Sequence, residues 1–137
     1  MNPLSRDLAA LVGGAVSTDA ADKFAYARDL WPRRLLELQA GRLPQPTPAC
    51  VVWPENAAAV ARVLAFAAER SIPVVPYGAG SGVCGGVRPT DATVVVDLKR
   101  LRRIRSLDPS AGRVEVEAGW LGQDFEDSLN ARGLTLG

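Results

Sequence analysis

Residues 74–86 read Val-Val-Pro-Tyr-Gly-Ala-Gly-Ser-Gly-Val-Cys-Gly-Gly, a short apolar run followed by five glycines in nine residues. The run Val74-Val75 with Tyr77 favours a β-strand. Glycine lacks a Cβ, so residues 78–86, the glycine segment, can adopt positive φ and let a ligand touch the backbone. Consecutive N–H groups in such a segment can converge on an anion. The pattern predicts a backbone cradle for a diphosphate, and the alternative is a tight connection without a ligand.

Two common phosphate-binding motifs are excluded by the residues on the C-terminal side of the glycines. Gly80–Gly85 matches the dinucleotide pattern G-x-G-x-x-G, but that pattern requires a crossover helix. Only residues 86–92 precede the next predicted strand, fewer than the ~10–12 that a crossover needs. In the Walker-type loop, Lys and Ser/Thr would stand where this chain has Gly86 and Val87. The remaining interpretation is a strand followed by a backbone cradle and then by a turn back into the sheet.

Hydrophobic periodicity and turn residues predict helices and strands on both sides of the glycine segment. Pro44, Pro46 and Pro48 indicate an extended linker. We therefore predict a helical N-terminal arm over residues 1–45 and a second domain over residues 46–137. The fold class expected is α+β, with a small mixed β-sheet flanked by helices. Predicted helices are 3–12, one from residue 19 or 22, 57–70 after the N-cap Asn56 and 121–132, and short turns are predicted at 33–41 and 98–101. Predicted strands are 50–53, 74–77, 93–97, 104–107 and 113–118.

Composition excludes several classes of function. The 137 residues carry a net charge of +1, which gives no field to attract nucleic acid. With no His, a Ser-His or Cys-His nucleophile and a His-ligated metal are excluded. Cys50 and Cys84 are the only cysteines; they lie far apart and have no metal-ligand spacing. A disulfide-stabilised secreted protein is therefore not expected, and a reducing cytoplasm fits better. No apolar stretch approaches the ~20 residues of a membrane span. We expect no metal site, no transmembrane segment and a cytoplasmic location.

Four motifs in order resemble the FAD-linked oxidases of the vanillyl-alcohol-oxidase superfamily, whose flavin domain is also named after p-cresol methylhydroxylase. The first motif is Val51–Asn56 and the second is the stretch Val74–Gly86, which looks like the family's pyrophosphate loop. The third is Val95–Leu98 with Ile104, and the fourth is Val116–Trp120. The resemblance runs from about Pro46 to Gly137, and it implies the N-terminal part of the family's FAD-binding domain.

Carried over onto this sequence, the resemblance implies a set of cofactor-binding residues that hold the FAD diphosphate, mostly through backbone N–H groups. They are Pro76, Tyr77, Gly78, Ala79, Gly80, Ser81, Gly82, Val83, Gly85 and Gly86. Ser81 would add a hydroxyl donor, and Gly85 and Gly86 would let the chain pass close to the cofactor. Some members attach flavin through a His, so the lack of His implies non-covalent FAD. We expect Cys84 to be a small buried apolar residue rather than a tether.

The resemblance divides between two branches of the family. The glycine segment looks like that of glycolate oxidase and D-lactate dehydrogenase, whereas Arg28–Pro32 and Gly133–Gly137 look more like alkyldihydroxyacetonephosphate synthase. We expect an FAD-dependent oxidoreductase acting on a 2-hydroxy acid or related alcohol. The alternatives are a flavin-dependent transferase of the synthase type and a non-catalytic, truncated remnant.

Family members continue beyond the point where this sequence stops, directly after a predicted helix. We therefore expect an N-terminal fragment that holds FAD poorly alone, with no catalytic residue and with the substrate site outside it. The substrate and the electron acceptor stay unidentified, and a homodimer of the full-length protein is an open expectation.

Overall fold

The computed structural model describes residues 2–137, which form five helices and six strands. The helices are α1 (Pro3–Leu11), α2 (Ala20–Ala25), α3 (Pro32–Gln39), α4 (Ala57–Glu69) and α5 (Gly122–Asn130). The strands are β1 (Val16–Ser17), β2 (Cys50–Val52), β3 (Val74–Tyr77), β4 (Val94–Asp97), β5 (Ile104–Asp108) and β6 (Arg113–Val116). The expected α+β class is confirmed, because helices flank small sheets in which parallel and antiparallel pairs are mixed.

The larger sheet has the strand order β1-β2-β4-β3. Strands β2, β4 and β3 run parallel, with Val95 paired to Val51 on one side and to Val75 on the other. Strand β1 joins the edge antiparallel, with Val16 opposite Val52. Strands β3 and β4 are therefore parallel neighbours, and residues 78–93 connect them without a helix. This absence of a crossover helix agrees with the exclusion of the dinucleotide motif.

Helix α4 forms as its sequence predicts. The Asn56 side chain accepts a hydrogen bond of 2.9 Å from the Ala59 N–H and satisfies one of the free amides of the first turn. Val63 and Ala67 are spaced by four residues, and both are buried against the sheet side of the helix. The helix thereby presents one apolar face to the core.

The core lies on one face of the parallel strands. The buried side chains that form it are Leu8, Val12, Cys50, Val52, Val63, Val94 and Val96. Every residue of β2 and β4 is buried, which is typical of parallel strands covered on both faces. Each fully buried valine contributes roughly 1.5–3 kcal/mol to folding. These valines fix the register, and the register decides which residues stand at the ends of the strands.

The N-terminal arm packs onto this sheet. Leu8 and Val12 of the arm lie in the same core cluster as the strands, and β1 adds a strand to the edge. The sequence did not predict β1, because two residues are too short to show a periodic pattern. The division of the chain at residues 45 and 46 stays a prediction.

The C-terminal part forms a β5–β6 hairpin followed by α5, as predicted. Phe125 and Leu129 are the buried residues of α5. The single turn predicted at residues 98–101 is present, and it is closed by a hydrogen bond of 2.9 Å from the Leu101 N–H to the Leu98 carbonyl. Asp97 determines where the turn begins, because its carboxylate accepts the Lys99 N–H at 2.8 Å and bends the chain directly after β4.

No helix among residues 2–137 has both the length and the apolar character that crossing a bilayer requires.

Candidate functional site

The carboxyl ends of the parallel strands bring three side chains with hydrogen-bonding groups to one edge of the sheet. Trp53 follows β2, Tyr77 ends β3, and Asp97 ends β4 opposite Tyr77. The glycine segment leaves the sheet at this edge, immediately after Tyr77. In open sheets of parallel strands, ligands bind beyond the carboxyl ends of the strands. This edge is therefore the candidate site.

Asp97 is the centre of a polar cluster at this edge, and its side chain is fully buried. Its Oδ2 accepts hydrogen bonds from the Tyr26 hydroxyl and, at 3.0 Å, from Trp53 Nε1. Lys99 Nζ lies 2.5 Å from the same oxygen and forms an ion pair with it. A buried carboxylate needs such partners, because an unpaired charge in the interior is strongly unfavourable. The four side chains form one connected unit.

The pKa values of Tyr26, in this cluster, and of the neighbouring Tyr77 are both raised. Burial, and then the hydrogen bond to Asp97, raises the pKa of Tyr26 to about 12. Burial also raises the pKa of Tyr77, with the nearby Lys99 acting in the opposite direction. The rings of Tyr26 and Tyr77 pack together, with centroids 4.6 Å apart. Both phenols therefore stay neutral around neutral pH, and the Tyr26 hydroxyl donates its hydrogen bond to Asp97.

Lys99 connects this cluster to the glycine segment. Its Nζ donates a hydrogen bond of 3.1 Å to the carbonyl of Gly78, the first residue of the segment. The ammonium also lies 5.0 Å from the centre of the Tyr77 ring, within range of a cation–π contact. The buried Asp97 carboxylate thus holds the Lys99 ammonium, and the ammonium fixes the start of the glycine segment.

Two glycines of the segment have positive φ, Gly80 at 67° and Gly85 at 73°. A Cβ on Gly80 would lie 2.1 Å from Tyr77 Oη, and a Cβ on Gly85 would lie 2.8 Å from the Trp31 ring. These glycines are therefore required by the protein's own packing as well as by the backbone conformation. The close approach that the sequence attributed to a cofactor is, at Gly85, an approach to Trp31.

The backbone N–H groups of the glycine segment are free of protein acceptors. Within residues 2–137, none of the N–H groups of residues 78–86 donates a hydrogen bond to the chain. The segment is also open to solvent, with only Gly80 and Gly85 partly covered. A run of unpaired, accessible amides is what an anion requires. The residues present therefore fit the diphosphate of a dinucleotide.

The structure places the candidate cofactor-binding residues along one continuous stretch. Pro76 is exposed within β3, and Tyr77 is half-buried beneath the segment. The remaining candidates form the exposed segment itself: Gly78, Ala79, Gly80, Ser81, Gly82, Val83, Gly85 and Gly86. Within the described residues, the Ser81 hydroxyl makes no hydrogen bond and is open to a ligand. Their role in binding stays a prediction.

Cys84 differs from its expectation. The sequence favoured a small buried apolar residue, but Cys84 is exposed, because the segment lies outside the sheet. Cys50 is buried in β2, and burial raises the pKa of its thiol to about 11. Cys84 is thus the accessible thiol of the two.

Two parts of the site were not recognised from the sequence. The first is the cluster around Asp97, whose members lie 44 and 71 positions apart along the chain. The second is the segment Arg28–Trp31 of the arm, which lies against the glycine segment. The sequence did contain one signal for the cluster. Asp97 is an isolated acidic residue at the end of a buried strand, and Lys99 follows it two residues later.

Comparison with known proteins decides the family. The sequence model described as FAD binding domain matches residues 48–137. The chain belongs to this family. The matched residues contain the whole glycine segment, together with Asp97 and Lys99, whereas Tyr26 and the segment Arg28–Trp31 precede them. Among residues 2–137, no group of three His, Cys, Asp or Glu side chains comes together to hold a metal ion.

Curated relatives fall in both branches that the sequence suggested. An alkyldihydroxyacetonephosphate synthase of Trypanosoma brucei brucei is 30% identical over 115 residues, which is 80% of this chain and 18% of the relative. A glycolate oxidase subunit of Bacillus subtilis is 30% identical over 90 residues, covering 66% of this chain and 19% of the relative. The chain spans about a fifth of the length of these relatives.

The fold itself is found in solved structures. A crystal structure of p-cresol methylhydroxylase with substrate bound superposes with a TM-score of 0.70 at 20% identity, over 95% of this chain and 24% of the other. At this identity the likeness is one of fold. It includes most of the N-terminal arm as well as the domain that the family model matches.

Proposed function

We propose that this chain binds the diphosphate of FAD on the backbone N–H groups of residues 78–86. The observation that carries the proposal is that these amides have no acceptor within residues 2–137 and open to solvent at the carboxyl edge of the sheet. Membership of the FAD-binding domain family supports FAD as the dinucleotide. Lys99 would contribute a positive charge near the start of the segment, and Ser81 a hydroxyl donor.

The reaction that we propose is oxidation of a 2-hydroxy acid or related alcohol. The relative named as a glycolate oxidase subunit supports this substrate class. Bound FAD would accept the hydride that the alcohol carbon loses. The residues of this chain would hold and orient the cofactor, and we place the substrate site outside them.

The cofactor would be held without a covalent bond. No His is present in the 137 residues, so none of them offers an imidazole for covalent attachment of the flavin. Cys84 is exposed in the segment, and the proposal requires that it stays a free thiol. Acid precipitation of a loaded sample is expected to leave the flavin in the supernatant, whereas flavin in the pellet would contradict non-covalent binding. We also propose a cytoplasmic location, because a reducing compartment keeps Cys50 and Cys84 free.

A second reaction has support from a specific comparison. The trypanosomal synthase covers 80% of this chain, including part of the arm, and supports a redox-neutral, flavin-dependent transferase. The two reactions differ in the final state of the flavin. The test uses a protein that contains this chain together with the substrate site. After one anaerobic turnover, an oxidoreductase leaves the flavin reduced and bleached, whereas the transferase leaves its visible absorbance unchanged.

Binding can be tested on this chain alone by NMR, because weak binding is measurable at 14.5 kDa. FAD is expected to shift the amide resonances of residues 78–86 with a Kd on the order of 1 mM or tighter. ADP shares the diphosphate and should shift the same resonances, whereas riboflavin lacks it and should not. If FAD leaves these resonances in place, the proposal is wrong.

A further inference from the structure

The segment Arg28–Trp31 of the N-terminal arm contacts the glycine segment and Tyr77. The Leu30 N–H donates a hydrogen bond of 2.8 Å to the Gly82 carbonyl. The Tyr77 hydroxyl donates one of 3.3 Å to the Arg28 carbonyl. The family model begins at residue 48, so it assigns no role to these arm residues. They nevertheless make the main-chain contact that holds the middle of the glycine segment.

Asp29 fixes the shape of this arm segment. Its side chain is 2% exposed, and its Oδ1 accepts the Trp31 N–H at 3.1 Å. A bond from a side chain to the N–H two residues later is an Asx turn, which sets the direction of the chain. Within the described residues, Oδ2 has no hydrogen-bond partner, and a Cβ on Gly82 would lie 3.2 Å from it. The carboxylate therefore occupies the space where Gly82 lacks a side chain.

Trp31 covers the other end of the segment. A Cβ on Gly85 would lie 2.8 Å and 3.0 Å from two carbons of the indole ring, so ring and backbone are in direct contact. The Asx turn of Asp29 presents this ring to Gly85. One short stretch of the arm thus contacts the glycine segment at Gly82 and at Gly85.

These contacts matter because the segment cannot order itself. Its amides make no hydrogen bonds within the described chain, and glycine has the largest conformational freedom of any residue. Fixing the backbone of one residue costs about 1–2 kcal/mol. A ligand that had to order the segment on its own would lose that much affinity per residue, whereas a preformed segment avoids the loss.

We propose that residues 28–31 are a positioning element of the diphosphate site, in which Asp29 and Trp31 hold the glycine segment in its binding conformation. This inference rests on the proposed function, since it assumes that the segment binds a diphosphate. Neither side chain touches the ligand in this proposal. They act through the backbone of Gly82 and Gly85.

The test uses two measurements on the 137-residue chain. The first is the NMR order parameter of the amides of residues 78–86 without ligand, and the second is the affinity for FAD. Trp31→Ala and Asp29→Ala are expected to lower the order parameters from about 0.85 to below 0.6. We expect both variants to bind FAD about tenfold more weakly, which corresponds to about 1.4 kcal/mol.

Conservative variants and a control on the same arm separate positioning from general damage. Trp31→Phe keeps an aromatic ring, and Asp29→Asn keeps an oxygen acceptor for the turn, so both should stay close to the unsubstituted chain. Leu36→Ala removes an exposed side chain of α3 and should change neither measurement. Circular dichroism establishes that each variant is folded.

The outcomes are distinguishable from failure of the proposed function. If the alanine variants loosen the segment but even the unsubstituted chain binds no FAD, the diphosphate proposal fails and the arm contact stands. If folded alanine variants keep a rigid segment and full affinity, the positioning role is wrong. If both alanine variants fail to fold, the arm residues are structural, and the inference is overturned.

Discussion

Lys99 Nζ lies 2.5 Å from Asp97 Oδ2, so an exposed cation is held by a carboxylate that is itself completely buried. The ammonium also donates to the Gly78 carbonyl at 3.1 Å. The pair therefore joins the end of β4 to the start of the glycine segment. It is the structural link between the core of the domain and the proposed diphosphate site.

Removing Asp97 should be strongly destabilising. Asp97→Ala leaves the Tyr26 hydroxyl without its acceptor and leaves Trp53 Nε1 with only the Tyr26 oxygen at 3.2 Å, and we expect the free energy of unfolding to fall by about 3 kcal/mol. Urea denaturation followed by circular dichroism measures the change. Glu55→Ala removes an exposed ion pair with Arg100 and should cost less than about 0.5 kcal/mol. Equal losses in the two variants would contradict the central position of Asp97.

Lys99→Met should weaken both stability and binding. Asp97 keeps its other donors, but its fully buried carboxylate loses its counter-ion, so we expect a loss of about 3 kcal/mol in stability. The start of the glycine segment loses its anchor and a nearby positive charge. FAD affinity should therefore fall by about tenfold, and Lys99→Arg should recover part of it. An unchanged affinity in the Met variant would show that Lys99 does not serve the segment.

The glycines with positive φ should not tolerate alanine. Gly80→Ala places a Cβ against Tyr77 and puts a side chain into the left-handed region, so we expect a loss of about 2 kcal/mol. Gly86→Ala is the matched control, because Gly86 has no positive φ and no atom within 4 Å of its Cβ position. Thermal unfolding of both variants gives the comparison. A Gly80→Ala variant as stable as Gly86→Ala would be inconsistent with this geometry.

Stability should fall at high pH through Tyr26. The unfolded phenol has a pKa near 10.0, and burial together with Asp97 raises the folded pKa to about 12. The contribution of Tyr26 is therefore complete below pH 10 and is lost as the pH rises towards 12. Burial raises the pKa of Cys50 to about 11, which adds a loss of the same sign.

The difference between the unsubstituted chain and Tyr26→Phe isolates the tyrosine. Urea unfolding at several alkaline pH values should show a shallower decline in the Phe variant. Absorbance of the tyrosinate reports the ionisation directly, because Tyr26 and Tyr77 are the two tyrosines of the chain. Ionisation of Tyr26 near pH 10 in the folded protein would refute the raised pKa.

Asn56→Ala should weaken the start of α4 by about 1 kcal/mol, because the Ala59 N–H loses its acceptor. Asn56→Asp keeps an oxygen in that place and should retain most of the stability. Urea denaturation of both variants checks this expectation. If the Asp variant loses as much stability as the Ala variant, the amide nitrogen of Asn56 is what matters, and the capping oxygen is not.

Local patterns were sufficient for the elements of this fold. The β-branched runs at Val51 and Val94, the Asn56 cap and the residues 104–118 that form the hairpin each predicted the element found there. Such signals depend on residues a few positions apart, so one sequence contains them completely. Strand β1 was not predicted, because a two-residue strand forms only by pairing with its partner β2.

What the sequence determined by itself was the succession of elements, the α+β class and a glycine-rich stretch able to expose free amides. The tertiary structure decided which residues meet that stretch. Asp97 gathers Tyr26 and Trp53 from distant parts of the chain, and Trp31 reaches Gly85 from the arm. Those contacts arise only after parallel strands align their carboxyl ends, because spatial neighbours across a sheet leave no periodic pattern along the chain.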